Sequence, residues 1–292
     1  MLDEDSRLYA HERVLARAFE GYFPALETNG DLIKSIRYTL LAPGKRIRPH
    51  LTLEFCRLFG GNEESALPYA CAVEAIHTAH VIEDDLPCMD NGDLRRGRAA
   101  NHRVYGEATA MLASNALMTF AFKLTSSNAA LDALQNAGAS ALLAEKAGVN
   151  GMTGGQGEDI MNEGREINCR DLMQISRLKT GALFEAACGL GCIAAGADES
   201  AIADALTYAV NFGAAFQIID DYLDVTVSTR LLGKSALSDV KNEKTTFITM
   251  LGKEGALDLA QQYSENAADA IKKYPDSEYL RAFAFNMLQR KR

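Results

Sequence analysis

Apolar residues recur at steps of three and four along most of the chain, and alternating runs of β-branched residues are few. That spacing gathers the apolar side chains on one face of a 3.6-residue period and predicts an all-α fold. Helices are expected over 4–24, 30–41, 47–59, 63–87, 107–127, 128–150, 170–196, 198–227, 243–252, 255–273 and 276–289. Turn signals fall at Asn91-Gly92, Gly154-Gly155 and Leu232-Gly233-Lys234, each framing charged residues. No Pro, Gly and Ser-rich run divides the 292 residues and no internal repeat is evident, so residues 1–292 read as one domain.

Two aspartate clusters interrupt this apolar pattern. Asp84-Asp85-Leu86-Pro87-Cys88-Met89-Asp90 closes an apolar helix beginning near Ala66, and Asp220-Asp221-Tyr222-Leu223-Asp224 follows the apolar segment Phe212–Ile219. Carboxylates beside a core are costly unless compensated, which argues for shared divalent cations rather than solvated helix ends. Hard oxygen ligands suit Mg²⁺, which binds through one or two carboxylates plus substrate phosphates. Asp220 and Asp224 stand one turn apart on the same helical face, with Asp221 beside them. Counter-charges are supplied by Gly44-Lys45-Arg46-Ile47-Arg48-Pro49, Arg95-Arg96, Lys179 and Lys234. Arginine forks hold diphosphate bidentately and lysines add point charges, so one diphosphate is expected on metal and another on bases.

Composition narrows the class. Hydrophobic residues at 48% and charged residues at 24% are globular values, and a net charge of -9 argues against binding a nucleic-acid backbone. The most apolar tract, around Ala186 to Ala197, is too short to span a bilayer, and no signal segment is seen, so a cytoplasmic protein without stable membrane insertion is expected. Six cysteines lack paired spacing, and Cys188 and Cys192, one turn apart, read as helix packing. His11, His50 and His102 read as structural histidines.

The ordered set of motifs resembles the trans-isoprenyl diphosphate synthases, or polyprenyl synthetases. The resemblance runs from Gly44-Lys45-Arg46-x-Arg48-Pro49 through His77, Asp84-Asp85-x-x-x-x-Asp90, Leu94-Arg95-Arg96-Gly97 and Asn101-His102. It continues with Gly154-Gly155-Gln156, Lys179-Thr180-Gly181, Phe216-Gln217-x-x-Asp220-Asp221-x-x-Asp224, Leu232-Gly233-Lys234 and Ser238-Asp239.

The resemblance implies an isoprenoid-synthase-type bundle of antiparallel helices around a deep central cavity, usually as a homodimer. It implies about three Mg²⁺ ions bridging Asp84, Asp85 and Asp90 on one wall and Asp220 on the other to an allylic diphosphate, with Asp221 and Asp224 completing the second motif. Lys179, Lys234 and Arg95 would contact that diphosphate, and Lys45, Arg48, His77 and Arg96 would hold isopentenyl diphosphate. Thr180, Gln217 and the Lys179 carbonyl would face the allylic cation, offering dipoles without a strong nucleophile.

Glu83, His80 and Asn115 depart from the family's usual His, Ser and Gly-Asp at those places. Product length turns on the residues beneath the first Asp motif: small Ala79 favours a twenty-carbon tail, whereas bulky His80 favours a floor at fifteen. The imidazole is read as the stronger obstruction, giving farnesyl diphosphate from isopentenyl and dimethylallyl or geranyl diphosphates, with geranylgeranyl diphosphate as the alternative. A class I terpene cyclase and a non-catalytic synthase subunit are the more distant readings.

Overall fold

The computed structural model describes residues 4–24, 30–226 and 245–289. Its helices are α1 (Glu4–Tyr22), α2 (Asp31–Leu40), α3 (Ile47–Leu58), α4 (Glu63–Asp84), α5 (Asn101–Tyr105), α6 (Glu107–Ser126), α7 (Ala133–Ala147), α8 (Met152–Met161), α9 (Cys169–Ser176), α10 (Ala182–Ala195), α11 (Glu199–Thr226), α12 (Phe247–Ala270) and α13 (Glu278–Asn286). The fold is all-α, as the periodicity predicts.

Several details bear on the expected elements. The helix expected from 128 starts at Ala133, because Asp132 and Gln135 form a reciprocal capping box there. The stretch expected as 170–196 is helical throughout but passes through a π-helical turn at Arg177–Gly181. The break expected between 243–252 and 255–273 is present within α12 at Gly252, whose φ of 69° is left-handed and not helical. Gly154-Gly155 is not a turn but lies inside α8. The pair of glycines looks like a loop in sequence, yet Gly154 lies against the Val149 carbonyl and Gly155 against the backbone of Leu178 and Lys179, where a Cβ would not fit.

Helices α4 and α10 form the centre. From Thr180 to Cys192 every residue is buried, and α10 packs on α3, α4, α7 and α11. A helix apolar on all sides is what a bundle interior demands. Phe184 meets Phe212 edge-on with ring centroids 5.2 Å apart, and Phe212 stacks on Tyr208 and Phe283. Such pairs each contribute about 0.5–1.5 kcal/mol beyond area burial, and here they fix α10 against α11, the two helices leading into the second wall of the site. The continuous helical stretches Cys169–Ala195 and Glu199–Thr226 are long and apolar enough to cross a membrane by length and composition. Their apolarity has a use within the bundle, where both carry the core and several candidate site residues.

Candidate functional site

Helix α4 delivers the first aspartates. Asn62 caps its start by accepting from the Glu64 N–H at 2.9 Å, and the helix runs to Asp84 before Pro87 disfavours its continuation. Asp90 is brought back by its backbone N–H, which donates to the Asp84 carbonyl at 3.0 Å. The following segment forms a hairpin, Leu94–Arg95 against Arg98–Ala99, closed by Arg96 and Gly97, both at positive φ. A two-residue turn of that kind matches the right-handed twist of its strands, and it aims Arg95 back at the aspartates.

Arg95 grips Asp85 through Nε at 2.9 Å and Nη2 at 2.6 Å, and reaches Asp84 Oδ2 at 3.3 Å. Burial raises the Asp85 pKa, with the Arg95 charge pulling against it. Asp85 is 2% exposed, and its described side-chain partner is Arg95. Asp84 faces a different set: Gln156 Nε2 donates to its Oδ1 at 3.0 Å, and Lys179 Nζ lies 3.9 Å from the same oxygen.

Lys179 sits in the π-helical turn. Such turns are rare, and they occur frequently at functional sites. Its Nζ is 2.7 Å from Asp159 Oδ2 on α8, so Asp159 competes with Asp84 for the ammonium. Gly155 permits this approach, since a Cβ there would stand 2.2 Å from the Lys179 backbone nitrogen. Gly155→Ala is therefore expected to destabilise the protein by about 1–3 kcal/mol through overpacking and to slow turnover by displacing Lys179. Thermal unfolding and steady-state kinetics of the variant check both effects.

The next residue links the two walls. Thr180 Oγ1 donates to Gln217 Oε1 at 2.7 Å, Gln217 Nε2 donates to Asp221 Oδ1 at 2.8 Å, and Asp221 Oδ2 accepts from the Phe247 N–H at 3.0 Å. Both Asp221 oxygens are thus engaged, and Asp221 is buried, as is Asp224. Asp220 is half-buried. A chain of contacts from Asp84 through Lys179, Thr180 and Gln217 to Asp221 joins aspartate motifs more than 130 residues apart in sequence.

A basic lobe adjoins this centre. Arg48 lays its guanidinium 4.3 Å over the Phe184 ring, a contact of about 2 kcal/mol when desolvated. Burial, Arg48 and Arg96 hold the His77 pKa well below its ordinary value, so its imidazole is neutral. Arg96 is lowered to about 10 by burial and by Arg46, with Glu74 pulling the other way. Lys45 is exposed. Among the described residues the non-glycine positions at positive φ are Arg46, Asn91 and Arg96. All three flank the aspartates or the basic lobe, where backbone strain of about 1–3 kcal/mol per residue is characteristically held.

The remaining candidates fall as follows. Lys234 lies outside the described residues, as does Ser238-Asp239. Glu83 accepts a hydrogen bond from Ser114 on α6 at 2.7 Å, while Asn115 is exposed. Gln156 belongs to the Gly154-Gly155-Gln156 motif, whereas Asp159 on the same helix and Glu74, an acid on an apolar helix, carry no motif of their own. The i,i+3 spacing from Gln156 is the signal in the sequence that points to Asp159.

This order of basic loop, aspartates, Lys-Thr and Gln-Asp-Asp is shared with known proteins. The polyprenyl synthetase profile matches residues 30–281.

The chain belongs to the polyprenyl synthetase family.

Large subunit 1 of the chloroplastic heterodimeric geranylgeranyl pyrophosphate synthase of Arabidopsis thaliana is 42% identical over 244 residues, covering 82% of this chain and 66% of that protein. The chloroplastic geranylgeranyl pyrophosphate synthase of Capsicum annuum is 43% identical over 240 residues, covering 82% of this chain and 65% of that protein. The match thus spans slightly less than two thirds of those relatives' length. Among solved structures, an apo FPP/GFPP synthase from Zymomonas mobilis superposes with a TM-score of 0.88 at 30% identity, covering 98% of this chain and 99% of its own. A Helicobacter pylori geranyltransferase complexed with magnesium and isoprenyl diphosphate gives 0.83 at 28% identity, covering 97% and 96%. This polyprenyl synthetase therefore has the isoprenoid-synthase fold expected from its motifs.

Proposed function

We propose that this polyprenyl synthetase is a Mg²⁺-dependent short-chain prenyltransferase that condenses isopentenyl diphosphate head-to-tail with allylic diphosphates. The observation that carries the reading is the linked centre in which Asp84, Lys179, Thr180, Gln217 and Asp221 form one chain of contacts. The donor set fits Mg²⁺: oxygen ligands from Asp84, Asp90 and Asp220, with Arg95 and Lys179 beside them to meet phosphate. About three ions are expected, as the family resemblance implies. Asp85 and Asp221 are assigned to orienting Arg95 and Gln217, and Asp224 to supporting the second motif.

Bound Mg²⁺ supplies neutralisation of the charge developing on the leaving diphosphate. Lys179 and Arg95 add fixed positive charge at the same place, where it strengthens as the allylic C–O bond ionises. Thr180 Oγ and Gln217 Oε1, held by their mutual hydrogen bond and by Asp221, present oxygen dipoles to the carbocation. Lys45, Arg48, His77 and Arg96 hold isopentenyl diphosphate, whose double bond attacks the cation. The released diphosphate takes the final proton, so no separate protein base is required. Lys234 is assigned to the allylic diphosphate by its motif.

For the product, the names of the plant relatives favour geranylgeranyl diphosphate, and that is the length proposed. Farnesyl diphosphate is the second reading, favoured by His80: its side chain is half-buried one turn below Asp84, whereas Ala79 is packed entirely within the core. Burial holds the His80 pKa down at about 4, with Asp84 opposing, so the obstruction is a neutral ring. His80→Ala is expected to lengthen the main product by at least one five-carbon unit, read by mass of the prenyl alcohols. An unchanged length moves the floor to Met118 or Phe122 on α6.

A homodimer is proposed, with a heterodimer as the rival, given that one relative is the large subunit of such an assembly. The expected cytoplasmic location gains no support from relatives named as chloroplastic, so the proposal extends to any aqueous compartment supplying five-carbon diphosphates, plastid stroma included. The deciding experiment is incubation of the purified protein with Mg²⁺, isopentenyl diphosphate and dimethylallyl diphosphate. A linear prenyl diphosphate supports the proposal. A cyclic hydrocarbon from a supplied prenyl diphosphate points to a cyclase, and no turnover of any allylic starter points to a non-catalytic subunit.

A further inference from the structure

Helix α1 meets the bundle at a buried polar cluster that the proposed chemistry does not use. His11 on α1 and His50 on α3 face each other with their Nδ1 atoms 2.8 Å apart. Glu54 stands one turn beyond His50 on the same face of α3, and one donor atom from each of the three lies within 4.8 Å of the others. All three are buried, at 7%, 0% and 3% exposure. Two Nδ1 lone pairs this close can share only one proton, and Glu54 Oε1 is buried without a hydrogen-bond partner.

The surrounding contacts follow the pattern found around metal-ligating side chains. A ligating imidazole gives one nitrogen to the metal and donates its other N–H to an acceptor, while a ligating carboxylate is itself hydrogen-bonded. Here His50 Nε2 is 2.9 Å from the Tyr279 hydroxyl, and His11 Nε2 is 3.4 Å from a Glu63 carboxylate oxygen. Glu54 Oε2 is 3.3 Å from Arg7, whose guanidinium lies 4.4 Å over the Tyr279 ring. The Arg7 charge thus meets Oε2 of Glu54, and Oε1 is left for a further partner.

We propose that His11, His50 and Glu54 form a zinc site that fastens helix α1 to α3, with Glu63 and Tyr279 orienting the two imidazoles. Two nitrogens and one carboxylate suit Zn²⁺ and not Mg²⁺, and water fills the fourth position. With Zn–N bonds of about 2.0–2.1 Å, a tetrahedral ion needs the two nitrogens about 3.3 Å apart, a small opening of the present contact. Glu63 and Arg7, both partly exposed, mark the way in from solvent.

The test uses the full-length protein stripped with a chelator and titrated with Zn²⁺ against a chromophoric indicator, then with Co²⁺ as a spectroscopic substitute. One tight equivalent is expected, with the intense visible bands of four-coordinate Co²⁺ rather than the weak bands of an octahedral oxygen site. His11→Asn and Glu54→Gln should each weaken zinc more than about 10-fold, and Glu63→Gln about 10-fold. Asp84→Ala should leave this equivalent in place. Should a ligand variant not fold, Glu63→Gln keeps the test open, because Glu63 is only partly buried. The proposal is overturned if the folded protein retains no zinc, if binding survives all three of these substitutions, or if it disappears with Asp84→Ala.

Discussion

Asp84→Ala is expected to lower kcat for prenyl diphosphate formation by about 10³-fold or more while leaving the fold intact. Asp84 is the carboxylate on which Gln156, Lys179 and Arg95 converge. Removing it takes away a proposed metal ligand and releases Lys179 to Asp159, 2.7 Å away. A loss of about 4 kcal/mol in stabilisation of the leaving diphosphate corresponds to three powers of ten in rate. Product quantified by mass, with circular dichroism to verify folding, reads the effect. A variant keeping more than a tenth of the wild-type rate would remove Asp84 from the proposed metal site. Excess Mg²⁺ should recover only the part of the loss that comes from weaker metal binding, because it does not return the carboxylate that holds Lys179.

Glu74→Ala carries the largest expected loss of stability. Glu74 is 1% exposed and accepts from Arg46, which also donates to the carbonyls of Leu40 and Ala42 at 2.7 and 2.5 Å. Arg96 Nη2 stands 3.6 Å from the same carboxylate oxygen. Alanine leaves the buried Arg46 charge without its carboxylate, and breaking one side of such a pair costs about 3–5 kcal/mol. For a chain of this size the melting temperature should fall on the order of 10 °C. Glu74→Gln should recover part of the loss by keeping a hydrogen-bond acceptor. A fall of less than 2 °C for the alanine variant would mean that the arginines find other partners. Kinetically, Glu74→Ala should raise KM for isopentenyl diphosphate more than for the allylic substrate, since Arg46 fixes the loop that carries Lys45 and Arg48.

Much of this molecule can be read from its sequence because its signals are local. Helices α2, α3 and α6 begin and end, and α11 begins, within a residue or two of the limits set by apolar spacing, for a 3.6-residue pattern depends only on neighbours along the chain. The aspartate clusters are likewise legible, because carboxylates ending or following an apolar helix stand out against their surroundings. Gly154-Gly155 is the instructive failure. Gly155 serves a close approach between α8 and the π-helical turn, a contact between segments more than twenty residues apart, and no local propensity announces it.

Sequence alone determined the helical fold, the family and the residue types that gather at the site. Tertiary structure decided how those residues divide their work, because hydrogen-bond partners are assigned in space. Asp84 and Asp85 are adjacent in the chain, yet the Arg95 fork holds Asp85 in the interior while Asp84 faces Lys179 and Gln156. Gln217 and Asp221, four residues apart, become one network only when Thr180 arrives from the π-helical turn. His11 and His50 read as separate structural histidines until helix packing sets their nitrogens face to face.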